Sequence, residues 1–136
     1  MITALDTNVL LDVFWDDPQF GEPSSRALER CAAEGGLVAC EVIWAELRAA
    51  FPTAVELVAA MGTLGVSFSP VEMTATMVTG EVWRDYRSRG GTRTRLLPDF
   101  LVAGHAFHHA DRLLTRDRGF YRTYFPQLTI LDPTAT

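Results

Sequence analysis

The sequence predicts an α/β protein: a three-layer sandwich with a mainly parallel five-stranded sheet flanked by helices. Three observations predict it. Short β-like runs alternate with longer helical ones along the chain. Those short runs are apolar on both sides, as strands covered on two faces must be. Finally, 136 residues, 48% of them hydrophobic and 21% charged, suffice for one core but not two, so residues 1–136 are expected to form a single domain.

Ile2 to Leu5 is the first apolar run, ended by Asp6, and Thr7 to Phe14 continues as a helix. Pro18, Gly21 and Pro23 mark a loop, after which Ser24 or Ser25 can cap a helix to Ala33 that Gly35 and Gly36 terminate. Leu37 to Cys40 reads as a buried strand and Glu41 to Phe51 as a helix; Thr53 caps another reaching Met61 or Leu64. Val66 to Phe68 is the third strand and about Glu72 to Ser88 a long helix, followed by an arginine-rich turn, Gly90 to Arg95. Pro98 and Asp99 open a helix to about His109; Arg112 to Thr115 and Leu128 to Leu131 are the fourth and fifth strands. No apolar run approaches the roughly 18–20 residues that cross a bilayer, and Asp6 falls where a signal peptide would carry a basic residue, so a cytosolic protein is expected. Cys31 and Cys40 are too few for a disulfide framework and lack metal-ligand spacing; both are read as reduced, buried side chains.

In parallel sheets, ligands collect beyond the carboxyl ends of the strands. Asp6 directly follows the first strand, and Asp117 lies just beyond the fourth. Glu46 is in the helix after the second strand, and Asp99 begins the helix that leads into the fourth. Asp6 and Asp99 could be simple helix caps, and Asp117 a turn residue or a partner of Arg116 or Arg118. Glu46 resists such a reading. Its helical neighbours are Val42, Ile43, Ala49 and Ala50, so it is expected within the apolar stripe, with compensation from outside its helix. Gathered carboxylates repel one another, and a hard divalent ion such as magnesium or manganese removes that penalty. Such an ion also activates water and neutralises charge on a phosphoryl group.

The net charge of −5 disfavours a polyanionic partner, but its distribution does not. Arg84, Arg87, Arg89, Arg93 and Arg95 crowd one stretch, and Arg112, Arg116, Arg118 and Arg122 another; all 12 basic residues are arginine. Acids at one sheet edge with arginines nearby suggest phosphodiester hydrolysis. The first group and Arg116 are candidate contacts for RNA or a protein partner.

Four segments, LDTNVLLDVFW, EVIWAEL, LPDFLVAGHA and LLTRDRGF, resemble in order the motif blocks of PIN-domain nucleases, and most closely the VapC toxins of bacterial toxin–antitoxin pairs. The likeness spans Leu5 to Phe120. It implies that Asp6, Glu46, Asp99 and Asp117 form an acidic quartet holding Mg²⁺ or Mn²⁺. It further implies that Asn8 braces the first aspartate and Thr115 positions a metal-bound water. The implied activity is endonucleolytic RNA cleavage leaving a 5′-phosphate and a 3′-hydroxyl, by a homodimer restrained by a cognate antitoxin. Two positions depart from the family pattern: Cys40 stands where a hydroxyl residue often caps the glutamate helix, and Gly104 with His105 replaces the small residues after the third acid.

Other constellations are weaker. His105 and His109 are four apart on a helix but lack the glutamate of HExxH and a third ligand. Trp15, Trp44 and Trp83 are too scattered for a stacking platform. An aspartate-nucleophile phosphatase or phospho-receiver would need a lysine, and the phosphatase an aspartate where Asn8 stands. The remaining alternative is a non-catalytic RNA- or protein-binding module on the same fold.

Overall fold

Parallel strands cannot be joined by tight turns, so each return to the start of the sheet must be made by helices. A computed structural model, which describes residues 1–91 and 97–135, has this pattern. Its elements are β1 (Ile2–Leu5), α1 (Thr7–Phe14), α2 (Gly21–Glu34), β2 (Gly36–Ala39), α3 (Glu41–Ala50) and α4 (Ala54–Leu64). They continue as β3 (Val66–Phe68), α5 (Met73–Ser88), α6 (Leu97–His109), β4 (Arg112–Leu114), α7 (Arg118–Tyr124) and β5 (Ile130–Leu131). The sheet order is β3-β2-β1-β4-β5, and every adjacent pair is parallel.

The chain steps from β1 outward to β3, then crosses back to place β4 on the other side of β1. Right-handed crossovers in opposite directions distribute the helices over both faces. Between β1 and β4 the order reverses, and at such a switch point the loops diverge and open a crevice. Asp6 and Thr115 stand at that point, where the Asp6 N–H donates to the Leu114 carbonyl at 3.1 Å. Behind them lies a core in which Leu5, Leu10, Ile43, Leu47, Phe100, Leu113 and Leu114 are at most 1% exposed. Phe100 centres an aromatic cluster with Trp83, Tyr86, Phe120, Tyr124 and Phe125, at ring separations of 5.1 to 6.2 Å.

Close approach matters most at Gly35 and Gly104. A β-carbon on Gly35 would lie 1.7 Å from the Met1 carbonyl oxygen, and one on Gly104 would lie 1.9 Å from Thr79 Oγ1. Gly104 therefore admits α5 close against α6.

Two elements differ from the sequence reading. Helix α2 begins at Gly21, before the serines expected to cap it. Asp17 supplies the preceding turn instead, its Oδ1 accepting from the backbone N–H of Gln19 and Phe20 at 2.9 and 2.8 Å. Pro23 falls in the first turn of α2, where no intrahelical N–H is needed. Helix α7 is the second difference, since the sequence reading places no element between the fourth and fifth strands. Among the described residues, no helix is long and apolar enough to cross a membrane.

Candidate active site

Asp6 follows β1 and serves as the N-cap of α1, its Oδ1 accepting from the Thr7 N–H at 2.8 Å. A cap would ordinarily be solvated, yet Asp6 is only 8% exposed. Its other oxygen, Oδ2, accepts from the Thr115 hydroxyl at 2.8 Å, the Tyr121 hydroxyl at 3.0 Å and, more weakly, Asn8 Nδ2 at 3.4 Å. Burial pushes the Asp6 carboxyl above its ordinary pKa; the donors pull it down, the charge of Glu46 pushes it up again, and burial prevails.

Asn8 Nδ2 also donates to Thr115 Oγ1 at 3.2 Å, while its carbonyl oxygen accepts the Arg116 N–H at 3.1 Å. Thr115, fully buried, accepts the Asp117 N–H at 3.0 Å. Asn8 and Thr115 thus tie the loop after β4 to the Asp6 carboxylate.

Tyr121, on α7, is 2% exposed and held well above its ordinary pKa. Burial is the largest cause, followed by the Asp6 charge and hydrogen bond, then by the charges of Asp99 and Asp117. All the charges raising it are carboxylates, so Tyr121 marks where three of the four acids bear on one hydroxyl. Asp99 lies in the first turn of α6 and Asp117 caps α7; both are partly buried.

Glu46 is exposed, contrary to its expected place in an apolar stripe. The buried face of α3 consists of Ile43 and Leu47 alone, and Ala49 and Ala50, apolar in type, face solvent. A partner outside its helix is present: the Thr7 hydroxyl donates to Glu46 Oε1 at 2.7 Å. That bond brings Glu46 to the α1 side of Asp6.

The donor set suits a hard cation: its members are all carboxylates, the oxygen ligands such ions prefer. Asp6 Oδ1 carries one hydrogen bond, leaving lone-pair capacity for a ligand. The acids do not close into a finished cage; among the described residues, no three His, Cys, Asp or Glu side chains form a group that could hold a metal ion. Magnesium tolerates this, since it keeps several waters and uses one or two carboxylates.

The family model described as PIN domain matches residues 3–126, which includes every residue of this site. This chain belongs to the PIN-domain family. No curated protein matches its sequence. Among solved structures, VapBC2 of Rickettsia felis, bound to a promoter DNA fragment, superposes with a TM-score of 0.75 at 20% identity, over 97% of this chain and 98% of that one. VapBC-1 of nontypeable Haemophilus influenzae gives 0.74 at 19%, over 99% and 100%. FitAcB of Neisseria gonorrhoeae gives 0.71 at 20%, over the whole of both chains. At these identities the likeness is one of fold.

The arginines of this PIN domain divide. Arg84, Arg87 and Arg89, on or just after α5, are exposed; Arg93 and Arg95 lie outside the described residues. Arg116 is engaged internally: its Nε and Nη2 pair with Asp12 Oδ2 and Oδ1 at 2.7 and 3.0 Å, and its guanidinium lies 3.9 Å above the Phe20 ring. Asp12 is buried and also accepts from the Ser24 hydroxyl at 2.7 Å, so this pair anchors the loop that carries Thr115 and Asp117. His105 is buried, its Nε2 2.9 Å from Ser69 Oγ, with a pKa lowered to about 4 by burial and then by His109. Cys31 and Cys40 are free and buried, and Cys40 makes no side-chain cap bond.

Tyr121 escapes the sequence reading because α7 does. The signal for it is the recurrence of Phe120, Tyr121, Tyr124 and Phe125 at helical spacing, which places a buried hydroxyl-bearing ring next to the fourth acid.

Proposed function

We propose that this PIN domain is a Mg²⁺- or Mn²⁺-dependent endoribonuclease, the toxin of a toxin–antitoxin pair. One observation carries the reading: a buried carboxylate, Asp6, is held at the sheet's switch point by hydroxyl donors, while the charges of three other acids bear on it or on its tyrosine partner. Burying a carboxylate in such company costs stability, so it calls for a function that uses it. Membership of the PIN family and the likeness to VapBC and FitAB chains support the reading.

In this reading Asp6, Glu46 and Asp99 hold the cation, with Asp117 helping to hold water or a second ion. When bound, the ion supplies an activated water and neutralises charge on the scissile phosphate. Thr115, Tyr121 and Asn8 keep Asp6 in one orientation, and the hydrogen bonds they donate favour its ionised form, partly offsetting the pull of burial. Tyr121, with a raised pKa, stays protonated as a donor throughout the neutral range. Exposed Glu46 adapts to the ligand. Target RNA, a cognate antitoxin and a second copy of the chain are the proposed partners, in the cytosol.

The test is cleavage of RNA by the purified protein with Mn²⁺, with EDTA, and as Asp6→Asn. Metal-dependent cutting lost in the variant supports the proposal. RNA binding without cutting would favour a non-catalytic module. Growth arrest relieved by co-expressing the neighbouring reading frame would support the toxin role.

A further inference from the structure

We propose that the cleft between α2, α7 and the segment after β5 holds the phosphodiester backbone of the RNA strand leading to the acids. This rests on the ribonuclease reading and adds a substrate-binding surface to it. The cleft has a volume of about 760 Å³. Arg26 and Arg30 line it from α2, Arg118 and Arg122 from α7, against one acid, Asp132. In a chain of net charge −5, four arginines facing one aspartate form a local surplus of positive charge, the electrostatic footprint of a polyanion.

The arginines are available to phosphates. Arg26 and Arg30 pair with Glu22 and Glu34, but these acids do not line the cleft, and the arginine side chains remain 71% and 60% exposed. Exposed pairs of this kind are weak and exchange readily for the charge-assisted fork that a guanidinium makes with a phosphate. Arg118 reaches Asp132 at 3.5 Å, while Arg122 is exposed.

Position favours RNA over an acidic peptide. All strands run parallel, so the segment after β5 leaves the same sheet edge that carries Asp6. The Thr115 N–H bonds to the Leu131 carbonyl at 3.0 Å, which sets β5 beside β4 and β4 beside β1. At roughly 4.8 Å per strand, the cleft begins about 10 Å from Asp6. Arg118 adjoins Asp117 in sequence, and Phe20, beneath Arg116, lines the near wall. A strand held in the cleft therefore reaches the acids within a few nucleotides, a continuity from which a docked peptide gains nothing.

The test uses the triple variant Arg26→Gln, Arg30→Gln, Arg122→Gln, with Arg122→Gln alone as a milder form. A fluorescein-labelled single-stranded RNA is titrated in EDTA across a range of NaCl, and cleavage of the same RNA is followed with Mn²⁺. The expected result is binding at least tenfold weaker at about 0.1 M salt, with the log–log salt slope reduced by about 0.7 for each arginine removed. Cleavage at RNA concentrations well below saturation should fall by a similar factor. A wild type that cuts RNA, beside a triple variant with unchanged affinity and slope, overturns the cleft proposal alone. Loss of antitoxin binding with RNA binding intact reassigns the cleft to a protein and also overturns it. A wild type that neither binds nor cuts RNA sinks both this proposal and the ribonuclease reading.

Discussion

Replacing Tyr121 with phenylalanine removes one hydroxyl from the site and little else. The ring is 2% exposed and packs against Phe120 with centroids 4.9 Å apart, so the phenyl group keeps its place and leaves no sizeable cavity. What is lost is the 3.0 Å bond to Asp6 Oδ2. A hydrogen bond to a charged group contributes about 1.5–3 kcal/mol, against roughly 0.5–1.5 kcal/mol for a neutral pair. At pH 7.5 in EDTA, the variant should therefore lose about 1.5–3 kcal/mol, or roughly 5–12 °C in Tm for a domain of this size. In an Asp6→Asn background the same change should cost only the neutral figure. The sign with pH follows from the raised Asp6 pKa. Its folded value lies above its unfolded one, so the contribution is fully present below the unfolded value and is lost as pH rises through the folded value. Losing the Tyr121 donor raises the folded value further, so the cost should be largest at neutral pH and shrink in acid. Reversible urea melts at pH 4 and pH 7.5 on the four proteins provide the measurement. A Tyr121→Phe cost that is equal with Asp6 present and with Asp6→Asn in place would refute the claim that this hydroxyl serves a buried charge.

Two further predictions concern the surrounding network. Arg116→Ala leaves Asp12 buried with only the Ser24 hydroxyl, and should lower stability by about 2–4 kcal/mol after allowance for the partial exposure of Arg116. Arg116→Lys should recover only part, since a point charge replaces a two-pronged contact; a urea midpoint unchanged in the alanine variant would show that the pair does not anchor this loop. His105, with a pKa lowered to about 4, behaves oppositely to Asp6: its contribution is present above the unfolded value near 6.5 and is lost as pH falls toward 4. The groups facing it are His109, Glu41 and Ser69, and Glu41 partly offsets the burial. Relative to His105→Gln, the wild type should lose on the order of 2–3 kcal/mol across that window, and parallel stability curves for the two proteins would contradict the assignment.

Most of the fold was legible because its signals are local. Asp6 between an apolar run and a helix, and Thr53 at the head of the helix that follows it, mark helix starts through caps that act within one turn. The Thr53 hydroxyl accepts from the Glu56 N–H at 3.1 Å. What was not legible depends on distant partners. Asp17 displaced the start of α2 through an upstream turn, and the exposure of Glu46 was set by which α3 residues the neighbouring helices cover. Tyr121 joins Asp6 across 115 positions of sequence, a pairing that no local spacing encodes. The acids could be proposed from strand order, but the hydroxyl shell that orients one of them depends on the folded chain.

The four acids do not contribute alike, and this bears on how a cation would bind. Asp6 is immobilised by four donors, whereas Glu46 is exposed and Asp99 and Asp117 are partly buried. A buried carboxylate fixed in one orientation, beside less buried ones, should bind a divalent ion through an ordering of the exposed Glu46 side chain rather than by entry into a finished cage. Such binding stabilises the folded state by RT ln(1 + [L]/Kd), about 2.7 kcal/mol at one hundred times Kd, which corresponds to roughly 8–10 °C in Tm. Titrating Mn²⁺ into EDTA-stripped protein should produce this rise, with Mg²⁺ acting at higher concentration. Asp6→Asn should remove most of it, because the substitution relieves the buried charge and removes the fixed ligand together. Glu46→Gln, which keeps an acceptor for the Thr7 hydroxyl but no charge, should shift the titration to weaker affinity and leave the apo Tm nearly unchanged. A wild-type melt indifferent to Mn²⁺, or a shift of equal size in Asp6→Asn, would mean that these carboxylates are not the cation's ligands.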